Sequence, residues 1–88
     1  MRQLSESEFD SIVYSVSGDM PEVLNISIYG FGVEVTFESN SRKTDWNSFL
    51  DFDKVTGNYT YTSPYLGASL PWQFGDRISR RIKDMLND

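Results

Sequence analysis

Two hydrophobic periods alternate along the chain, and the points where the period changes mark out its elements. Phe9, Ile12, Val13 and Val16 fall at i, i+3, i+4 and i+7, which is one apolar stripe of a helix. Ahead of the stripe stands Ser5-Glu6-Ser7-Glu8. Its Ser5 hydroxyl suits the amide of Glu8, and the Glu8 carboxylate suits the amide of Ser5, a capping box. Leu4 before the cap and Phe9 after it form a hydrophobic staple, and Gly18 supplies a C-terminal stop. The spacing predicts a helix over residues 5–17.

Past Pro21 the period falls to two. Leu24, Ile26 and Ile28 alternate with polar or aromatic positions, as do Phe31, Val33, Val35 and Phe37. These are two half-buried strands. Gly30-Phe31 fits a two-residue hairpin turn with glycine first, which sets Tyr29 against Gly32, Ile28 against Val33, Ile26 against Val35 and Leu24 against Phe37.

A third strand over about 43–53 alternates Trp46, Ser48, Leu50 and Phe52 with Asp45, Asn47, Phe49, Asp51 and Asp53. Two registers against the second strand keep the apolar faces together. Pairing Phe37 with Trp46 sets Glu38 against Asp45. Pairing Phe37 with Thr44 sets Glu38 against Lys43 and lays Phe49 over Gly32, and charge pairing with aromatic cover of a strand glycine favours this second register. The loop Lys54-Val55-Thr56-Gly57 then returns the chain so that Phe52 meets Tyr59 and Leu50 meets Tyr61.

From Pro71 or Trp72 to Leu86 the helical period returns. Phe74, Ile78, Ile82, Met85 and Leu86 lie on one side, the charged residues on the other, and Ser69 is the expected cap. One apolar sheet face flanked by two amphipathic helices implies an α+β fold: a two-layer sandwich in which a four-stranded antiparallel meander carries the N- and C-terminal helices on one face, in the order α-β-β-β-β-α. The 88 residues form one domain, spanning 1–88. A chain of this size has a stability of about 4 to 13 kcal/mol.

Composition narrows the chemistry. Without Cys there is no disulfide, thiolate nucleophile or thiolate zinc site, and without His the usual base near neutral pH and the commonest metal ligand are missing. No cofactor is implied, and the chain reads as a non-enzymatic protein. Its start lacks the apolar core of a signal peptide, and no run reaches a membrane span, so a cytoplasmic, non-membrane protein is expected, as a monomer or weak homodimer. The triplets Asn25-Ile26-Ser27 and Asn58-Tyr59-Thr60 match a glycosylation acceptor, a signal that carries no weight without secretion.

Charge is divided unevenly. Thirteen acids and eight bases give a net charge of −5; residues 1–39 hold 7 acids and 1 base, and residues 40–88 hold 6 acids and 7 bases. The expected registers put Glu34, Glu38, Asp45, Asp51 and Asp53 on the outer sheet face with Lys43, and Tyr29 and Phe49 flank Gly32 among them. One reading of this face is plain solvation. The other is an acidic docking surface, with an aromatic centre, for a partner protein with a basic surface.

Two further constellations are weighed against it. Arg77, Arg80, Arg81 and Lys83 on the last helix form a basic face whose alternative reading is phosphate contact, although the acidity of the whole chain argues against nucleic acid. Asp51 and Asp53 stand two residues apart on one strand, as a pair of carboxylates for a divalent cation or for acid–base chemistry; the pattern is not that of an EF-hand. The bulky residues Tyr65, Leu70, Pro71, Trp72 and Phe74 serve as cover for the fourth-strand edge or frame a small groove. No motif in the chain is diagnostic of a family.

Overall fold

A computed structural model describes residues 2–38, 45–65 and 67–87. The elements run α1 (Glu6–Gly18), β1 (Val23–Tyr29), β2 (Gly32–Phe37), β3 (Trp46–Phe52), β4 (Tyr59–Thr62) and α2 (Ser69–Leu86). The strands form one open antiparallel sheet in the order β1-β2-β3-β4. Both helices pack on the same sheet face, and the expected α+β order is the one observed.

The capping box forms as its residues dictate. Ser5 Oγ accepts the Glu8 amide at 3.2 Å, and the Ser5 amide donates to Glu8 Oε1 at 3.0 Å. Phe9, Ile12, Val13 and Val16 are all buried beneath the sheet, with Leu4 beside them. The C-terminal stop differs from expectation. Gly18 is inside the helix without a positive φ, and the chain turns instead through Asp19 and Met20, whose amides donate to the carbonyls of Val16 and Ser17. Met20, only 3% exposed, anchors that turn in the core.

Gly30 has φ 61°, the left-handed value that the first position of the β1–β2 turn requires, and Tyr29 pairs with Gly32. Ile28 meets Val33 and Ile26 meets Val35 as expected. Leu24 does not meet Phe37. The ladder slips between Val23 and Asn25, Val23 takes the place opposite Phe37, and Leu24 is left 51% exposed. Two backbone bonds fix this end: the Val23 amide donates to the Met20 carbonyl and the Glu38 amide to the Glu22 carbonyl. Leu24, the extra residue between this anchored end and the ladder resuming at Asn25, bulges outward.

The β2–β3 register is also corrected. Phe37 pairs with Trp46, Val35 with Ser48, Val33 with Leu50 and Gly32 with Asp51. Lys43 and Thr44, on which the expected register depended, lie outside the described residues. Aromatic packing decides the matter: the Phe37 and Trp46 ring centroids are 4.9 Å apart, and the Trp46 and Phe37 rings also meet Tyr65 and Phe74 edge-on. Buried aromatic pairs contribute about 0.5–1.5 kcal/mol beyond their area, against about 0–1 kcal/mol for an exposed ion pair. The ladder stops at Phe37–Trp46, short of the Glu38 and Asp45 positions.

On the other side of β3 the expected pairs are found, with Phe52 against Tyr59 and Leu50 against Tyr61. Helix α2 starts two residues before Pro71. Ala68, not Ser69, is its N-cap, with extended backbone and no side-chain cap bond; its methyl is buried in the core while Ser69 is already helical. Phe74, Ile78 and Ile82 are fully buried, Met85 and Leu86 half-buried. The helix comes so close to the sheet that a Cβ on Gly75 would lie 2.4 Å from Tyr59 Cε2 and 2.9 Å from Leu50 Cδ2. Ser79 Oγ donates to the Gly57 carbonyl at 2.6 Å, pinning the helix to the β3–β4 loop.

Candidate functional site

With both helices on one side, the other sheet face is open, and strand alternation decides which side chains it carries. In the observed register three rows cross it. Tyr29, Gly32, Asp51 and Thr60 form the first, Ser27, Glu34, Phe49 and Thr62 the second, and Asn25, Thr36 and Asn47 the third. Glu34 and Asp51 therefore sit diagonally on neighbouring strands, both exposed. In the third row Thr36 donates to Asn47 Oδ1 at 2.8 Å, a neutral floor for that end of the face.

The aromatic pair survives the register change. Phe49 now stands opposite Glu34, yet its ring crosses diagonally to Gly32, where a Cβ would lie 2.8 Å from Phe49 Cζ. Tyr29 is on the far side of the same glycine. The two side chains are 62% and 41% exposed, so the face holds two aromatic surfaces open to solvent beside two carboxylates.

The other expected acids are placed differently. Glu38 and Asp45 are exposed at the end of the β2–β3 ladder, beyond the Phe37–Trp46 pair and away from Glu34 and Asp51. Asp53 has left the strand: its Oδ1 accepts the amides of Val55 at 2.7 Å and Thr56 at 3.1 Å, shaping the loop into β4. The Asp51–Asp53 pair is thus divided between the open face and a loop cap. A cleft of about 390 Å³ lies beside it, lined by Asp51, Phe52, Asp53, Asn58, Tyr59 and Thr60. Among the described residues no group of three or more acidic, His or Cys side chains is arranged to hold a metal ion.

The basic residues of α2 are interleaved with acids. Arg81 donates to Ser15 Oγ and pairs with Asp19 at 3.3 Å, joining the two helices. Arg77 and Arg80 share with Arg81, Asp19 and Asp84 the walls of a cleft of about 260 Å³ between the helices. The aliphatic stem of Lys83 lies over Gly57. Tyr59 and Tyr61 pack against the core with Trp72, and the Tyr59 hydroxyl donates to Asp76 Oδ1 at 2.6 Å. Burial of Tyr59, reinforced by this bond to the carboxylate, pushes its phenol above the ordinary tyrosine range.

One surface was not singled out from sequence. Tyr14, 63% exposed, separates two clefts between α1 and the β1 edge, one of about 280 Å³ with Glu6, Asp10, Ile28 and Gly30, the other of about 320 Å³ with Gly18, Leu24 and Ile26. Two signals for it were present: Tyr14 falls off the apolar stripe of its helix, and Val23 to Tyr29 contains neither charge nor proline, the usual protections of an edge strand. Among the described residues no helix is long and apolar enough to cross a membrane. Comparison with protein-family models, with curated proteins and with solved structures found no match to this chain.

Proposed function

We propose that this protein is a small non-enzymatic binding module whose outer sheet face docks a basic surface of a partner protein. The observation that carries the reading is the pairing of Glu34 and Asp51 with the exposed rings of Tyr29 and Phe49 across Gly32. Aromatic side chains at the centre of a patch supply contact area at low entropic cost, and carboxylates around them select the sign of the partner's charge. A rigid sheet holds all four at fixed spacing. Glu38 and Asp45 extend the same negative field along the ladder without belonging to the central patch.

Electrostatic attraction of this kind acts chiefly on association, so the on-rate falls as salt rises. The test is affinity capture from native lysate on the immobilised chain, followed by kinetics with the captured protein. Glu34→Lys combined with Asp51→Lys lowers the on-rate about tenfold or more at low ionic strength, and Phe49→Ala raises the off-rate. A captured partner that binds the double charge reversal as fast as the parent chain sinks the proposal. Circular dichroism melts of each variant separate lost binding from lost folding.

A further inference from the structure

The β1 edge offers main-chain hydrogen-bonding groups next to a groove with an acidic end, and we propose that it receives an extended segment of a partner protein, basic at one end and apolar along one side, as a fifth strand. The phase of the ladder gives the first step. Tyr29 and Gly32 close a two-residue turn and so exchange backbone hydrogen bonds; by alternation Ser27 and Glu34 do the same. Ile26 and Ile28, opposite Val35 and Val33, are the non-bonded positions of that ladder, and their N–H and C=O groups point away from β2. Among the described residues no other main-chain group bonds them. An added strand finds there the regular donor and acceptor spacing that β-augmentation uses.

Side-chain chemistry then selects the occupant. A segment paired with β1 turns every second side chain toward α1, into the two clefts that meet at Tyr14. At one end the side chains of Glu6 and Asp10 line the cleft, with Glu6 Oε1 3.7 Å from where a Cβ on Gly30 would stand. Among the described residues no Lys or Arg lines either cleft. A Lys or Arg of the added strand is matched at that end. At the other end Tyr14 and Leu24, 63% and 51% exposed, and half-buried Ile26 present apolar surface to a Val, Ile or Leu. A second copy of this chain is the poorer occupant, because each copy carries a net charge of −5 and β1 has no cation to set against Glu6 and Asp10.

The experiment titrates the full chain, 15N-labelled, with a synthetic nonapeptide that alternates valine with threonine and ends in two lysines. Binding shifts the amide resonances of Leu24 to Tyr29 and of Tyr14, and slows exchange of the Ile26 and Ile28 amides about tenfold or more. The same peptide N-methylated at its pairing amides binds at least tenfold more weakly, a comparison that leaves the protein unaltered. Replacing its lysines by glutamates, or making Asp10→Lys in the protein, weakens binding several-fold at low salt. Glu34→Lys weakens binding far less than Asp10→Lys at the same ionic strength, which keeps this edge distinct from the outer face. Absence of shifts at millimolar peptide, equal binding of the N-methylated peptide, or shifts centred on Glu34 and Asp51 would each overturn the proposal. So would peptide-free, concentration-dependent protection of Ile26 and Ile28, which identifies a second copy as the occupant.

Discussion

Gly75→Ala gives the sharpest test of how α2 is seated. In an exposed helix interior this change is stabilising by about 1 kcal/mol, because alanine loses less backbone entropy than glycine. Here the added methyl would lie 2.4 Å from Tyr59 Cε2, 2.5 Å from Tyr59 Cζ and 2.9 Å from Leu50 Cδ2. The Tyr59 ring cannot simply swing aside. It packs on Phe52 at 5.4 Å between centroids, and its hydroxyl bonds Asp76 on the next residue of the helix. Overpacking of this kind costs about 1–3 kcal/mol, and displacing the Tyr59–Asp76 bond adds about 1.5–3 kcal/mol. Against the propensity gain, the net expectation is a loss of about 1.5–5 kcal/mol, a fall in Tm of roughly 6–40 °C at about 4–8 °C per kcal/mol. Urea unfolding followed by fluorescence of Trp46 and Trp72 measures it. Tyr59→Ala should restore part of the loss in the double variant, since the two side chains compete for one space. A Gly75→Ala protein as stable as the parent, or more so, refutes the close-approach argument.

The remaining predictions concern the cap, the core and alkaline pH. Ser5→Ala loses the acceptor for the Glu8 amide and should cost about 1 kcal/mol in urea unfolding; an unchanged midpoint would remove the capping box from the account. The Glu8 carboxyl titrates below its ordinary value of 4.5, chiefly because it accepts the Ser5 amide. A lowered acid pKa stabilises the fold above the unfolded value and ceases to do so as pH falls through the folded one. The destabilisation by Glu8→Ala should therefore shrink as pH drops below 4.5, and a pH-independent difference in Tm would contradict that sign. Ser48 is 2% exposed and its hydroxyl has no hydrogen-bond partner among the described residues, so Ser48→Ala should raise stability by about 1 kcal/mol; a clear loss would reveal a partner for that hydroxyl. The Tyr59 phenol is shifted the other way, so its contribution is full below the ordinary tyrosine value of 10.0 and declines as pH rises beyond it. Alkaline unfolding of Tyr59→Phe should show a shallower decline above that pH than the parent, and identical slopes would count against the buried phenol.

The parts of the molecule legible in the sequence are those governed by local rules. The capping box of α1 joins residues three apart, the β1–β2 turn needs one glycine in the left-handed region, and the four-residue loop into β4 fixes the pairing on both sides of it. Each is set by short-range geometry with few alternatives. The acidic and aromatic composition of the outer face was legible for the same reason, since strand alternation assigns Tyr29, Glu34, Phe49 and Asp51 to one side in either β2–β3 register.

What tertiary structure decided lies where local rules permitted two answers. A shift of two residues between β2 and β3 preserves every facing, so charge matching at the strand ends and ring packing in the core competed; packing of Phe37 on Trp46 prevailed because it removes two large rings from water, whereas an exposed ion pair stays solvated. The Leu24 bulge follows from backbone bonds at Glu22 and Val23 that no period-two pattern encodes. Asp53 became a loop cap when its main chain turned. The open β1 edge, too, exists only because β1 ends the sheet, a property of strand order. The sequence by itself determined the elements, their order and the side of the sheet on which charge accumulates. The fold decided which of those charges are neighbours, because long-range packing energies, not local periodicity, choose among registers that local geometry leaves equal.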